Sequence, residues 1–169
     1  MSFGPAELPR YPVRVLTTTY YIQGGLETLG PIIAFMNDRD RDAFVFLDAT
    51  VKPLTSGPIG QMTRPVISVP KPEVIAMYVD DAAARSSIQT LRHIERCIIY
   101  MPYLVCRGEF HLGADTRWQD MLGMLPTDFF AFTNASVFPL APLPGPFPQQ
   151  ADLVVLSRRH VKMMHLDEA

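Results

Sequence analysis

The strongest constraint on this chain of 169 residues is an internal repeat. Residues 42–54 (DAFVFLDATVKPL) align with residues 128–140 (DFFAFTNASVFPL), and seven of the thirteen positions are identical. An unrelated pairing of this length would give about one identity. The flanking segments align at similar shifts and in the same order. We therefore expect two tandem copies of one unit, with residues 1–82 as the first copy, 83–94 as a linker and 95–169 as the second copy.

Each copy is predicted to be mainly β, with five strands and one short helix inserted between the second and third strands. The opening runs, residues 13–25 and 97–108, are rich in β-branched and aromatic side chains, which favours strands. Gly25 and Gly108 mark a turn or a bulge in these runs. The helix of the second copy is predicted from an i, i+3, i+4, i+7 apolar spacing, formed by Trp118, Met121, Leu122 and Leu125.

Composition narrows the class of protein. Apolar residues make up 48% of the chain and charged residues 19%, which is enough for a packed core. The net charge of −2 argues against a strongly basic nucleic-acid binder. No apolar stretch reaches the length of a membrane span, and residues 1–12 do not have the pattern of a signal peptide. Two cysteines, Cys97 and Cys106, are expected as buried free thiols, so we expect a cytoplasmic protein without membrane partners.

The sequence contains no catalytic signature or phosphate-binding loop. Its four histidines are not spaced as metal ligands, so neither a metal nor a cofactor is expected. Asp48 and Asn134 occupy equivalent positions in the third strand of each copy. They are the candidates for a small-molecule or enzymatic site in a cleft between the copies; a polar residue at a strand end is the alternative interpretation.

The end of each copy resembles a known fold. Residues 154–168 (VVLSRRHVKMMHLDE) are similar to the second Sm motif, in which an apolar strand, an arginine-containing turn and another apolar strand follow one another. Residues 67–81 (ISVPKPEVIAMYVDD) resemble the same motif without the arginine. The resemblance implies a small five-stranded, Sm-like or SH3-like barrel, as in the bacterial Hfq type. It departs from that family in the position of the helix. Only Met36 and Asn37 of this chain match the letters of the family's base-binding loop.

The resemblance also suggests residues for nucleic-acid binding. In an Sm-like ring the turn of the second motif lines the pore and touches phosphates or bases. The corresponding basic residues here are Arg158, Arg159, His160 and Lys162, with Lys71 in the first copy. A solvated hairpin turn is the alternative interpretation. The first copy is less basic there, so the pore would attract a polyanion less strongly.

These observations favour a non-enzymatic interaction protein. Hfq-type rings use six copies of the unit, so the resemblance implies a homotrimer that forms a pseudo-hexameric ring. The more specific form of this hypothesis is weak binding of single-stranded RNA. The other form is a scaffold that binds only proteins. The competing class is the small-molecule-binding module or enzyme with its site between the copies.

Overall fold

A computed structural model describes residues 4, 6–86, 93–113 and 115–168. It is 53% strand and 15% helix, so the prediction of a mainly β protein is confirmed. Its ten strands form one open antiparallel sheet. The strands are β1 (Arg10–Thr17), β2 (Tyr20–Glu27), β3 (Ala43–Pro53), β4 (Met62–Pro70), β5 (Val74–Val79), β6 (His93–Met101), β7 (Leu104–Leu112), β8 (Phe129–Pro139), β9 (Gln150–Ser157) and β10 (Met163–Leu166).

The order of strands in the sheet is β10-β6-β7-β8-β9-β5-β1-β2-β3-β4. Residues 10–79, the first half, contribute β5-β1-β2-β3-β4. Residues 93–166, the second half, contribute β10-β6-β7-β8-β9 in the same relative order. The two halves are joined in the sheet where β5 pairs with β9. The expected closure of each half into its own barrel stays a prediction.

The first hairpin turns at Thr18 and Thr19, not at Gly25. The hydroxyl oxygen of Thr17 accepts the backbone N–H groups of Tyr20 (2.9 Å) and Thr19 (3.3 Å), which closes the turn. A threonine hydroxyl therefore closes the turn, and the bulge that the sequence also allowed lies one residue before Gly25, at Gly24. The corresponding turn of the second half precedes β7, where Tyr103 has a φ of 67°.

The same bulge occurs in both halves. The pairing of β2 with β3 shifts around Gly24, and that of β7 with β8 shifts around Gly108. Opposite each glycine a polar residue has a positive φ, 46° at Asp48 and 50° at Asn134. Aspartate and asparagine tolerate this left-handed region better than other side chains do. The equivalence of Asp48 and Asn134 that the sequence indicates is therefore a shared backbone role at the bulge.

Short helices follow the second strand of each half, as predicted. They are α1 (Ile32–Met36) and α3 (Met121–Met124), the latter preceded by a 3₁₀ turn at Trp118–Asp120. Helix α2 (Ala82–Ser86) lies mostly in the predicted linker, and β6 begins within that linker, at His93. The rest of the linker, residues 87–92, lies outside the described residues.

Two apolar clusters form the core, and each one draws side chains from both halves. The cluster of the first half includes Phe129 and Val155 from the second half. The cluster of the second half includes Leu16 and Ile75 from the first. The halves therefore share one apolar boundary instead of packing as separate globules.

The bulge at Gly108 generates a prediction about stability. A Cβ there would lie 2.8 Å from the carbonyl oxygen of Thr133 and 3.1 Å from Cα of Ala135, both backbone atoms. Because backbone cannot move aside cheaply, Gly108→Ala should lower the free energy of unfolding by about 1–3 kcal/mol, measured by urea denaturation. The control is Gly123→Ala in α3, where a Cβ meets nothing within 4 Å. It should be neutral or stabilising by up to about 1 kcal/mol. Equal losses in both variants would contradict the bulge geometry.

Candidate functional site

The two ends of the sheet are free strand edges. Strand β4 forms one end and β10 the other. Both present apolar side chains to solvent: Val66 in β4 is 58% exposed, and Met163 in β10 is 54% exposed. Free edges with exposed apolar side chains can pair with another strand, which monomeric proteins normally block. These edges are therefore the first candidate for an interaction site.

The junction between the halves shows what happens to the corresponding strands when they are paired. Strands β5 and β9 run antiparallel, with Ala76 opposite Leu156 and Met77 opposite Val155. All four of these side chains are buried. This boundary is a packed apolar seam, and it is not a cleft between two domains.

An asparagine clamps the junction from one side. The amide nitrogen of Asn37 donates to the carbonyl oxygen of Phe129 (3.0 Å), and its amide oxygen accepts the N–H of the same residue (2.9 Å). Asn37 thus ties the end of α1 to the start of β8. Since Met36 is buried and both ends of the Asn37 amide are occupied, this pair is not presented for base binding.

Tyrosine hydroxyls strengthen the junction elsewhere. Tyr21 donates to the carbonyl oxygen of Pro146 (2.5 Å) and Tyr103 donates to that of Thr18 (3.1 Å). Burial raises the pKa of Tyr21, so this phenol stays protonated and can remain a donor. The proline-rich loop before β9 is in this way held against the first half, which makes it part of the junction.

The predicted basic residues lie in and around two neighbouring 3₁₀ turns, which we call the Lys71 turn (Lys71–Glu73) and the Arg158 turn (Arg158–His160). Nε2 of His160 donates to the carbonyl oxygen of Pro72 (2.6 Å), so the two turns touch. The structure therefore brings this predicted set together, although its members lie far apart in sequence.

Only part of this basic set is available to a ligand. Lys71 donates to the backbone carbonyl of Asp38 (2.6 Å), and partial burial lowers its pKa against the raising effect of carboxylates, chiefly Asp38. Arg158 donates to the carbonyl of Leu125 (2.6 Å). Arg159 and Lys162 are exposed, and neither forms an ion pair with any residue that the structure describes. These two cations are the ones that could meet a phosphate.

The structure does not bring Asp48 and Asn134 together. Asp48 lines a concavity on β1, β2 and β3 and pairs with Arg10 (Nη2–Oδ2, 2.7 Å). Asn134 lines a different concavity on β7, β8 and β9, where its amide donates to Glu109 (3.4 Å). The shared cleft envisaged for them has no counterpart in this arrangement.

The concavity of the second half contains a polar chain that the sequence did not reveal. His111 and Thr133 are joined at 2.6 Å (Nε2–Oγ1), and the Thr133 hydroxyl reaches Glu109 at 3.5 Å. Because the carboxylate bonds to the hydroxyl and not to the imidazole, it does not orient His111 as a base for that hydroxyl. The cross-strand register creates this contact, and the i, i+2 spacing of Glu109 and His111 was its only signal.

The two cysteine thiols are buried, and the described residues contain no cluster of metal-ligand side chains. Cys97 and Cys106 are buried free thiols, as predicted, and burial raises the pKa of each to about 12. Neither is therefore a thiolate near neutral pH. Within the described ranges, no group of three or more histidine, cysteine, aspartate or glutamate side chains could hold a metal ion.

No family model, curated protein or solved structure matches this chain. None of the helices in the part of the chain that the structure describes has the length and apolar character needed to cross a membrane.

Proposed function

We propose that this chain is a non-enzymatic interaction protein that assembles head to tail into a ring, with two tandem Sm-like units in each chain. One observation carries the proposal. The β5·β9 junction inside the chain is a pairing between the fifth strand of one half and the fourth strand of the other. The remaining fourth strand, β4, and the remaining fifth strand, β10, are the two free edges. The same pairing can therefore be repeated between chains.

The registers of neighbouring strands define which residues would pair. Phe44 pairs with Val69 in the first half, and Phe130 pairs with Leu156 in the second, so β4 and β9 correspond at a shift of 87. The fifth strands correspond at the same shift. Transferring the β5·β9 register to two chains makes opposite pairs of Met163 with Val69, Met164 with Ser68 and His165 with Ile67.

Exposure of corresponding residues supports this assignment. Val66 is 58% exposed on the free edge, whereas its counterpart Leu153 in paired β9 is 3% exposed. Met163 is 54% exposed, and its counterpart Ala76 in paired β5 is 0% exposed. At these two positions the free edges keep apolar side chains without the burial that pairing provides.

A head-to-tail contact generates a closed ring when its rotation closes and a filament when it does not. The Sm-like resemblance implies closure at six units, which three chains supply. We also propose that each five-stranded half bends into a small barrel.

The first test is the mass of the assembly in solution. On size exclusion with light scattering, the unmodified protein should have about three times its chain mass of 19.0 kDa. Met163→Lys places a charge at a position that is exposed in the single chain and buried in the ring, so this variant should be monomeric. Ile59→Lys, at a loop residue that is 60% exposed, should remain trimeric. An unmodified chain that is monomeric at tens of micromolar would overturn the ring.

The second test is the register. Opposite residues of an antiparallel pair have Cβ atoms about 5 Å apart, close enough for a disulfide after a small adjustment. Ser68→Cys with Met164→Cys, and separately Val69→Cys with Met163→Cys, should give covalent dimers and trimers on oxidation, with one pair reacting faster.

The matched control is Ile67→Cys with Met164→Cys. Those two side chains are out of register by one residue and would point to opposite faces of the sheet, so they should not cross-link. The native thiols do not interfere because both are buried. Cross-linking of the control pair as fast as the two designed pairs would rule out this register.

The RNA-binding version of the proposal rests on Arg159 and Lys162, the exposed cations near the touching turns. In the ring these residues would recur around the pore, so weak affinity in each chain would be multiplied. The net charge of −2 limits the non-specific attraction of the rest of the surface.

Binding of a fluorescent single-stranded oligouridine at about 50 mM salt tests this version. Arg159→Ala with Lys162→Ala should weaken binding and reduce the slope of log affinity against log salt by about two per chain, since each lost phosphate contact removes about one. Arg39→Ala with Arg117→Ala, which removes two exposed cations away from the turns and the free edges, should leave the slope unchanged. Absence of binding at this salt would leave a scaffold that binds only proteins.

The competing proposal, an enzyme or small-molecule module with its site between the halves, has less support. Its expected location is occupied by the apolar β5·β9 seam, and Asp48 and Asn134 face separate concavities.

A further inference from the structure

A concavity of 590 Å³ lies on the first half, across β1, β2 and β3. Its volume is in the range of small-molecule sites. It is distinct from the free edges and from the basic turns, and neither of the functions above uses it. Its lining includes three basic side chains, Arg10, Arg14 and Lys52.

The strand register places these side chains on one face. Arg14 is opposite Gln23 on β2, and Gln23 is opposite Thr50 on β3. Lys52 follows Thr50 by two residues, and Arg10 precedes Arg14 by four, so both share this face. The three cations therefore surround a common polar centre that Gln23 and Thr50 line.

Two glycines form the floor. Gly24 leaves backbone uncovered in the concavity, and the guanidinium of Arg10 covers Gly25, where a Cβ would contact it. Asp48, held at the bulge, pairs with Arg10 and fixes it there. The unusual backbone at Asp48 thus positions one wall of the site.

Charge in the concavity is unbalanced. Asp48 compensates Arg10, but neither Arg14 nor Lys52 forms an ion pair within the described part of the chain. Arg14 instead lies 5.9 Å from the ring centre of Tyr78. The remaining carboxylate, Asp80 at the rim, accepts the hydroxyl of Tyr78 (3.3 Å). Three cations and two carboxylates line the concavity, which therefore keeps one excess positive charge and is open to solvent.

The fold does not require this arrangement, because the second half lacks it. At the register positions of Arg10, Arg14 and Lys52 it has Ile94, Ile98 and Phe138. Glu109 takes the place of Gly25. The cations, and the glycine beneath Arg10, are therefore particular to the first half.

We propose that this concavity binds the phosphate group of a small ligand. Arg14 and Lys52 give the concavity an excess of positive charge, and the guanidinium supplies the paired donors that suit phosphate oxygens. The Gln23 amide, the Thr50 hydroxyl and the Asp80 carboxylate can bond to hydroxyl groups on the rest of the ligand. A trimeric ring would carry three such sites, although binding at each of them does not depend on assembly.

Calorimetric titration at constant ionic strength tests the proposal, with inorganic phosphate, glucose 6-phosphate and glucose as probes. Glucose 6-phosphate should bind at one site per chain and glucose should not. If the ester binds more tightly than inorganic phosphate, the site takes a phosphorylated, hydroxylated molecule. Equal affinity would assign it to the free anion. Failure of both phosphate probes to bind at millimolar concentration would overturn the proposal.

Substitutions locate the site. Arg14→Met and Lys52→Met should each weaken binding of glucose 6-phosphate by about tenfold or more, because each removes a charge-assisted hydrogen bond. Arg39→Met, which removes an exposed cation from the loop before β3, is the matched control and should bind normally. The melting temperature of each variant without ligand reports whether it is folded. Equal weakening in the control would assign the effect to net charge and overturn the site.

Discussion

The pairing of β5 with β9 is the interaction on which the rest of the structure depends. Without it the chain would be two five-stranded sheets, each with an incomplete core, because each apolar cluster includes side chains from the other half. Backbone hydrogen bonds along the seam also hide strand edges that would otherwise attract other chains. The chain satisfies one such edge pair internally and leaves the other pair open at the ends of the sheet.

This arrangement explains why the proposed function is assembly. An internal contact that joins unlike edges of two similar units leaves an unlike pair of edges outside, and a second copy is the partner whose edges are complementary to both. The contacts that stabilise the junction inside the chain depend on residues of particular halves. An example is the pair of hydrogen bonds between the Asn37 side chain and the Phe129 backbone. The seam inside the chain and the seam between chains would therefore differ in strength even where their strand registers agree.

The sequence predicted the strands and the positions of the short helices because those features depend on local patterns. Runs of β-branched residues form β1 and β6, and the repeat alignment paired Asp48 with Asn134, which both have a positive φ. The turn at Thr18 was missed because the hydroxyl of Thr17 replaces the glycine that turns usually need. The pairing of β5 with β9 could not be predicted, because the two strands are about 80 residues apart and an apolar run does not indicate which strand it pairs with. The same holds for the contact of His111 with Thr133 and for the cations around Gln23, which depend on register between strands.

The bulges at Gly24 and Gly108 have a consequence for how the two halves can diverge. At each bulge the facing backbone lies close to the glycine, at 2.8 Å from a Cβ built on Gly108 and 3.0 Å from one built on Gly24, so both positions favour glycine. Positions around the bulge are then free to change their chemistry while the backbone stays the same. In the first half these positions are Arg10, Gly25 and Asp48, and in the second they are Ile94, Glu109 and Asn134. One architecture thus offers two different surfaces, and a chain that contains both always displays them in a ratio of one to one.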